Sequence, residues 1–223
     1  MADHHDLDPS KFEPEAIRLN LMVASLYIFV FELLRLTIVE GVKAYFLFQG
    51  TYSDEQIDEI RALASQYRDL GFDADADRTE SGLHDYHQQL ERFKEAVGTR
   101  YESAPNHLLV PCAKWLASNG VLSNDDVGWV SSIRDHRNAI AHEIHNFLFG
   151  MNIDVDFDLL AKAREVLRNV GLFWFRNDLH FDASTGGETD IEAIPDEDVF
   201  SGKEAFLQMA IDAVRSYADQ LAD

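Results

Sequence analysis

Residues 14–48, PEAIRLNLMVASLYIFVFELLRLTIVEGVKAYFLF, decide the fold class of this chain. Pro14 and Glu15 suit the first turn of a helix, and Gly50 follows as a stop signal. Wound as a helix, the stretch is apolar over most of its surface, so other helices are expected to surround it. The sequence therefore predicts a helical bundle built around this first helix.

The apolar part of this stretch also has to be compared with a membrane span. Residues 19–31 are 13 residues without a charge, bracketed by Arg18 on one side and by Glu32 and Arg35 on the other. A transmembrane helix needs roughly 20 mostly apolar residues. The length favours a buried core helix, and we expect no membrane association.

Six further helical segments follow the first one. Helix-start residues, glycine stops and apolar periodicity place them at 53–70, 83–97, 105–118, 123–149, 156–177 and 201–221. Between them, 72–82 is predicted to be a solvated acidic linker, and 179–202 is polar and rich in turn residues. The predicted fold class is all-α, an antiparallel bundle of about six to seven helices.

Charge and cysteine content limit the classes of function. The net charge is −21, from 19 Lys and Arg against 40 Asp and Glu, which counts against a broad basic surface for nucleic acid. Cys112 is the single cysteine, so neither an intramolecular disulfide nor a cysteine zinc site can form. Residues 1–11 lack the basic start of a signal peptide and are interpreted as a flexible N-terminus. We expect a cytoplasmic protein.

The fifth predicted helix carries a charge on its apolar face. On a helical wheel with Arg134 at zero, one stripe at about −140° to −20° is apolar. That stripe contains Trp129, Val130, Ile133, Ile140, Ala141, Ile144, Phe147 and Leu148. Arg137 falls inside it, near −60°. A polar stripe lies alongside, made of Arg134, Ser131, Asn138, His142 and His145.

Two interpretations of Arg137 follow. A guanidinium within a core face is costly unless it is paired or faces a ligand or a second subunit. In one interpretation Arg137 pairs with a buried acid, for which Glu32 of the first helix is the candidate. In the other, Arg137, Asn138 and His142 surround an anion, because arginine is the side chain best shaped for phosphate.

Residues 133–143, IRDHRNAIAHE, resemble the signature of the HEPN superfamily. In that signature an Arg and a polar residue, often Asn, precede a His late in a long helix, as Arg137, Asn138 and His142 do here. The resemblance implies an all-α domain over 12–223, with 51–101 as a candidate inserted helical hairpin. It also implies a metal-independent endoribonuclease that works as a homodimer. Such an enzyme would be the toxin or effector of a toxin–antitoxin or phage-defence system with a cognate antitoxin protein.

The residue types suit that chemistry. Arg137 and His142 are the predicted catalytic residues, since His transfers protons near neutral pH and Arg stabilises phosphoryl oxygens. Arg134, Asn138 and His145 are predicted to bind the RNA substrate. Arg137 and His142 lie about 140° apart on one helix, a separation that a second copy across a two-fold axis would relieve.

Neither a metal nor another cofactor is expected. His84 and His87 have i, i+3 spacing but no evident third ligand, whereas structural zinc takes four. Two other functions stay open. One is a catalytically inactive helical module of the same fold that binds a protein partner or a nucleotide. The other is an unrelated helical scaffold in which the motif is a coincidence.

Overall fold

The structure, a computed structural model, describes residues 14–47, 52–98, 105–144, 156–184, 194–199 and 202–222. Of these residues 90% are helical and none is in a strand, which confirms the all-α helical bundle. The α-helices are α1 (Pro14–Arg35), α2 (Gly41–Phe46), α3 (Asp54–Asp69), α4 (Asp73–Val97), α5 (Pro105–Ser118), α6 (Asn124–His142), α7 (Phe157–Ser184) and α8 (Gly202–Ala222). A π-helix, Leu36–Glu40, joins α1 to α2, so these two form one continuous helical segment and the described helices number seven.

The chain divides into two compact units. The first contains Met1–Thr37 and Leu116–Asp223, and the second contains Ile38–Trp115. In the first unit α1, α6, α7 and α8 pack on one another, with α1 touching each of the other three. In the second, α4 packs against both α2 and α3.

Helix α1 forms the core of the first unit, as its apolar surface predicts. Its fully buried side chains point in several directions around the helix because three helices cover it. They are Val23, Ala24, Leu26, Tyr27, Val30, Phe31, Leu33 and Leu34. The segment Pro14–Phe46 is long and apolar enough to span a membrane. Yet 61% of its most apolar 18-residue stretch is buried inside the protein. A core helix of a soluble protein passes the same test of length and composition.

The π-helix opens the backbone at Thr37, a polar residue that is nevertheless buried. Its carbonyl oxygen accepts a hydrogen bond from Trp174 Nε1 at 2.9 Å, and its hydroxyl accepts one from Lys203 Nζ at 3.3 Å. A π-turn displaces the ordinary helical bonding pattern. A side chain of α7 therefore bonds to the helix backbone here, and a side chain of α8 bonds to the threonine hydroxyl.

The second unit contains the helical hairpin of α3 and α4, and here one prediction is wrong. Residues 73–82, expected to lie in an acidic linker, belong to α4. Asp73 and Asp75 stand in the first turn of α4, where the helix dipole favours negative charge. Arg68 of α3 then donates to Glu80 and Asp77 of α4, so these acids serve the contact between the two helices.

Two other helix boundaries differ from prediction. Helix α6 ends at His142 because Glu143 leaves helical geometry (φ −120°, ψ 33°) while its N–H still bonds the Ala139 carbonyl. The rest of the predicted helix, 145–149, lies outside the described residues. Helix α7 runs on to Ser184, through part of the predicted turn-rich region. The predicted stop after α5 is confirmed, with Gly120 at φ 75°, where a residue with a Cβ would be strained.

Candidate functional site

The start of α6 is fixed by a capping box. The Ser123 hydroxyl accepts from the Asp126 N–H at 3.1 Å, and the Asp126 carboxylate accepts from the Ser123 N–H at 2.8 Å. Two helix-end donors are satisfied in this way, and the helix is held in register from its first turn. Further along, Val130, Ile133 and Ile140 are fully buried and point α6 into the first unit.

Arg137 occupies the core-facing position between Ile133 and Ile140, and it is half-buried. Its guanidinium carbon lies 5.0 Å from the centroid of the Phe31 ring, and Nη1 donates to Asn138 Oδ1 at 3.2 Å. Its Nε is buried and has no hydrogen-bond partner among the described residues. Among the described residues, therefore, an aromatic ring stacks on the cation but no acid pairs with it.

The structure does not pair Arg137 with Glu32, the candidate acid of the first interpretation. Glu32 instead accepts from Arg35 at 2.8 Å, an i, i+3 pair within α1. Such a neighbour is always within reach on the same helix, whereas a partner on another helix must be placed by packing. The described part of the chain offers Arg137 no carboxylate in its place.

On the helical wheel His136 falls at about 200°, outside the apolar stripe, which predicts an exposed side chain. The structure instead places it against the core. Its ring centroid is 4.3 Å from that of Tyr27, and its Nε2 is buried with no hydrogen-bond partner among the described residues. Burial lowers the pKa of His136 below its usual 6.5, and the nearby Asp156 opposes that shift only in part. The imidazole is therefore held in its neutral form at this position.

Tyr27 connects α1, α6 and the start of α7. Its hydroxyl donates to the Asp156 carbonyl at 2.6 Å and accepts from the Asp156 N–H at 2.9 Å. Asp156 Oδ1 accepts from the Leu159 N–H at 2.9 Å and so caps α7. Burial raises the pKa of Tyr27, which keeps the hydroxyl protonated. This buried tyrosine thus fixes α1 relative to the start of α7.

Arg134, a predicted substrate-binding residue, is engaged by its neighbours. Its Nε and Nη2 donate to Asp135 Oδ1 at 2.9 and 2.8 Å, and Nη2 also reaches the Ser131 hydroxyl at 3.2 Å. The side chain is partly exposed, and exposed pairs of this kind are weak. Of the two arginines of α6, Arg134 thus has a carboxylate partner, whereas Arg137 has none among the described residues.

His142 is exposed and is the last residue of α6. Within the described residues no hydrogen bond joins it to Arg137 or to Asn138, one turn earlier. His145, the other predicted substrate-binding histidine, lies outside the described residues. The structure therefore joins Arg137 and Asn138 by a hydrogen bond, whereas among the described residues no hydrogen bond joins His142 to either of them.

The apolar stripe of α6 is covered only in part. Ile133 and Ile140 are fully buried, but Ala141 is exposed and Ile144 is 41% exposed, which corrects their prediction as core residues. Phe147 and Leu148, also predicted there, lie outside the described residues. The uncovered part of the stripe adjoins His142.

Three residues were missed by sequence reasoning: Phe31, which contacts Arg137, and Tyr27 and Asp156, which lie beside His136. Tyr27 and Phe31 are an i, i+4 pair on α1, the spacing that places side chains on one helix face. A tyrosine inside an apolar run is a usable signal, because a buried phenol needs a hydrogen-bond partner. Which residue supplies that partner depends on tertiary packing.

Within the described residues no group of three or more His, Cys, Asp or Glu side chains is arranged to hold a metal ion.

Comparisons with known proteins identify no relative of this chain. The chain matches no family model, and no curated protein and no solved structure is significantly similar to it. The resemblance to the HEPN superfamily thus stays a prediction that depends on residues 133–143.

Proposed function

We propose that this protein is a metal-independent endoribonuclease of the HEPN type, with Arg137 and His142 as catalytic residues. The observation that supports the proposal most is the state of Arg137. It is a half-buried cation with an unsatisfied Nε and no carboxylate partner among the described residues. Burying part of a guanidinium without an acid is unfavourable unless an anion completes the site, and a phosphate group is such an anion.

The proposed reaction uses the 2′-hydroxyl of the RNA as the nucleophile. His142 removes its proton while the oxygen attacks phosphorus, and Arg137 stabilises the negative charge on the phosphoryl oxygens. The P–O5′ bond then breaks, and a second proton donor protonates the leaving 5′-oxygen. The products are a 2′,3′-cyclic phosphate and a 5′-hydroxyl. No metal ion takes part in this scheme.

A homodimer would bring Arg137 and His142 from two copies of the motif close together, which a single chain does not do. Arg137 points into the first unit while His142 is exposed, about 140° away around the helix. A two-fold axis at the C-terminal end of α6 would bring two copies of the motif together across one cleft. Ala141 and Ile144 support this arrangement, since they are apolar residues that the chain leaves uncovered beside His142.

The strongly acidic chain is compatible with an RNA substrate if the local charge near the site is favourable. Within 129–148 the sequence has Asp135 and Glu143 against Arg134 and Arg137. Asp135 forms an ion pair with Arg134. The formal charge of this stretch is therefore zero, whereas the whole chain carries −21.

The direct experiment is incubation of the purified full chain with total RNA in EDTA. The proposal predicts cleavage in the chelator and products that carry 2′,3′-cyclic phosphate ends. Loss of cleavage in EDTA with recovery in magnesium or manganese would contradict the metal-independent mechanism. In the toxin form of the proposal, expression in cells would also arrest growth, and a cognate antitoxin protein would relieve that arrest.

One observation favours the second candidate, a catalytically inactive module of the same fold that binds a protein or nucleotide. The stacking of Arg137 on the buried Phe31 ring gives the guanidinium a packing role that requires no substrate. If Arg137 acts only in packing, RNA would survive incubation with a folded, dimeric protein. The EDTA experiment separates the two functions.

A further inference from the structure

The α3–α4 hairpin presents apolar side chains to solvent. Leu63 is 41% exposed, Leu70 is 70% exposed, and Phe72, in the turn after α3, is 54% exposed. Leu63 and Leu70 are seven residues apart and so lie on one face of α3. Single exposed leucines need no explanation, but two on one helix face, followed in the turn by an exposed phenylalanine, make a candidate contact surface.

The other side of α3 is occupied by α4. Ala64 is buried there, and Arg68 makes hydrogen bonds of 2.6 Å with both carboxylate oxygens of Glu80. These contacts hold the pairing of the two helices and lower the pKa of the Glu80 carboxyl. The Leu63–Leu70 stripe is therefore not the face that holds the hairpin together.

The charge around this stripe is strongly negative. Residues 54–97 contain twelve Asp and Glu against five Lys and Arg, a net charge of −7. Glu55 and Glu59 precede Leu63 by two turns and one turn, and both are exposed. Asp69 adjoins Leu70 and is also exposed. None of these three carboxylates has an ion-pair partner among the described residues, since Arg68 is engaged by α4.

We propose that this face of α3, defined by Leu63, Leu70 and Phe72 and flanked by Glu55, Glu59 and Asp69, binds a cationic amphipathic helix of a protein partner. The apolar residues of such a helix would cover the leucine stripe, and its Lys and Arg side chains would pair with the flanking carboxylates. RNA, DNA and anionic membranes are repelled by the same charge. The inference does not depend on the proposed nuclease activity, because it uses no residue of α6.

A direct test measures binding of a synthetic helix to the full chain. The probe is a Leu/Lys peptide of about 18 residues, long enough to form a helix on the surface, with leucines at i, i+3, i+4 and i+7. A second peptide has the same composition with its leucines scattered. Fluorescence anisotropy gives both dissociation constants at low and at moderate salt. The amphipathic peptide is expected to bind at least about tenfold more tightly than the scattered one.

Variants locate the binding surface. Leu63→Ser with Leu70→Ser is expected to weaken the amphipathic peptide about tenfold or more, a difference of about 1.4 kcal/mol. The matched control, Leu21→Ser with Met209→Ser, removes two equally exposed apolar residues from the other unit and should bind as wild type does. Circular dichroism checks that both proteins keep their helicity, which the exposure of all four residues favours.

Charge variants complete the test. Glu55→Gln with Glu59→Gln should weaken binding and reduce its salt dependence, whereas Asp198→Asn with Asp219→Asn should change neither. Equal binding of the two peptides, or equal binding by the leucine variant and its control, would show attraction by net charge alone and overturn the proposal. So would dissociation of a wild-type dimer by the leucine variant, because the occupant of the face would then be a second copy of this chain.

Discussion

The guanidinium carbon of Arg137 lies 5.0 Å from the centre of the Phe31 ring, and its Nε is buried without a hydrogen-bond partner among the described residues. One side of the cation is thus covered by an aromatic face, which attracts it. The neighbouring Asn138 accepts a single bond from Nη1. Arg137 is held in place by packing while part of its hydrogen-bonding capacity stays unused, the condition expected of a group that receives an anion.

Substitution of Arg137 should separate activity from stability. Arg137→Ala is expected to lower stability by about 0.5–2 kcal/mol, the value of a cation–π contact, and not by the roughly 3–5 kcal/mol of a broken buried ion pair. RNA cleavage should fall about 10²–10³-fold as charge stabilisation is lost. Arg137→Lys keeps the charge but not the planar fork, so it should impair cleavage more than folding. Urea unfolding and a cleavage assay measure the two effects.

The matched control is Arg215→Ala. Arg215 stacks on Phe157 at 5.2 Å, a similar contact in the same unit. It should cost a comparable amount of stability and leave cleavage unchanged. Equal losses of activity in the two variants would mean that Arg137 acts only through packing.

Stability should decrease on the acidic side of neutrality because of His136. Burial lowers its pKa in the folded state below the usual 6.5, so the unfolded chain binds the proton more tightly. The stabilising contribution of the neutral ring is complete above pH 6.5 and is lost as the pH falls through that value to the folded-state pKa. His136→Phe keeps an aromatic ring beside Tyr27 and removes the titration.

Chemical denaturation at pH 7.5 and 5.5 checks this linkage. The loss of stability between the two pH values should be smaller in His136→Phe than in wild type. His107→Phe, a change at an exposed histidine, should keep the wild-type loss. An unchanged pH dependence in His136→Phe would show that the buried ring is not the titrating group.

Removal of the Tyr27 hydroxyl should destabilise the first unit. Tyr27→Phe keeps the ring against His136 but loses the bonds to the Asp156 carbonyl and N–H. Leaving these backbone groups without a partner costs about 1–2 kcal/mol. Thermal and urea unfolding should show that loss, while Tyr217→Phe, at a half-buried tyrosine of α8, should stay within about 0.5 kcal/mol of wild type. Equal stabilities of the two variants would argue against this anchoring role.

Much of the fold could be predicted because its signals are local. The apolar surface of 14–48, the helix-start residues Ser53 and Ser123 and the stop at Gly120 each act within a few residues, and the structure confirms them. The start of α4 could not be predicted in this way. Its first turns are polar, and they are stabilised by Arg68 of the preceding helix.

The candidate site was predictable only in part for the same reason. Arg137 stands out from the sequence as a cation on an apolar face, and the structure places it there. Its contact with Phe31, and that of His136 with Tyr27, join residues far apart in the chain and depend on how α1 packs against α6. The end of α6 at His142 has no glycine or proline to mark it.

Oligomeric state provides a test of the proposed cleft. We predict a dimer in solution, twice the 25.3 kDa mass of the chain, at tens of micromolar protein. Ile144→Lys places a charge on the uncovered apolar stripe and should shift the mass toward the monomer and reduce cleavage. If light scattering finds only monomer in the wild type, the proposed two-fold arrangement of the motif is contradicted.

The most direct test of the account compares RNA cleavage in EDTA by wild type and by His142→Ala. His142 is exposed at the end of α6, so its removal should leave helicity, dimerisation and melting nearly unchanged. Cleavage should fall by about two to four orders of magnitude, the usual contribution of general acid–base catalysis. His84→Ala, at another exposed helical histidine, should cleave as wild type does. A stable, dimeric His142→Ala protein that still cleaves RNA at the wild-type rate would contradict the enzymatic account.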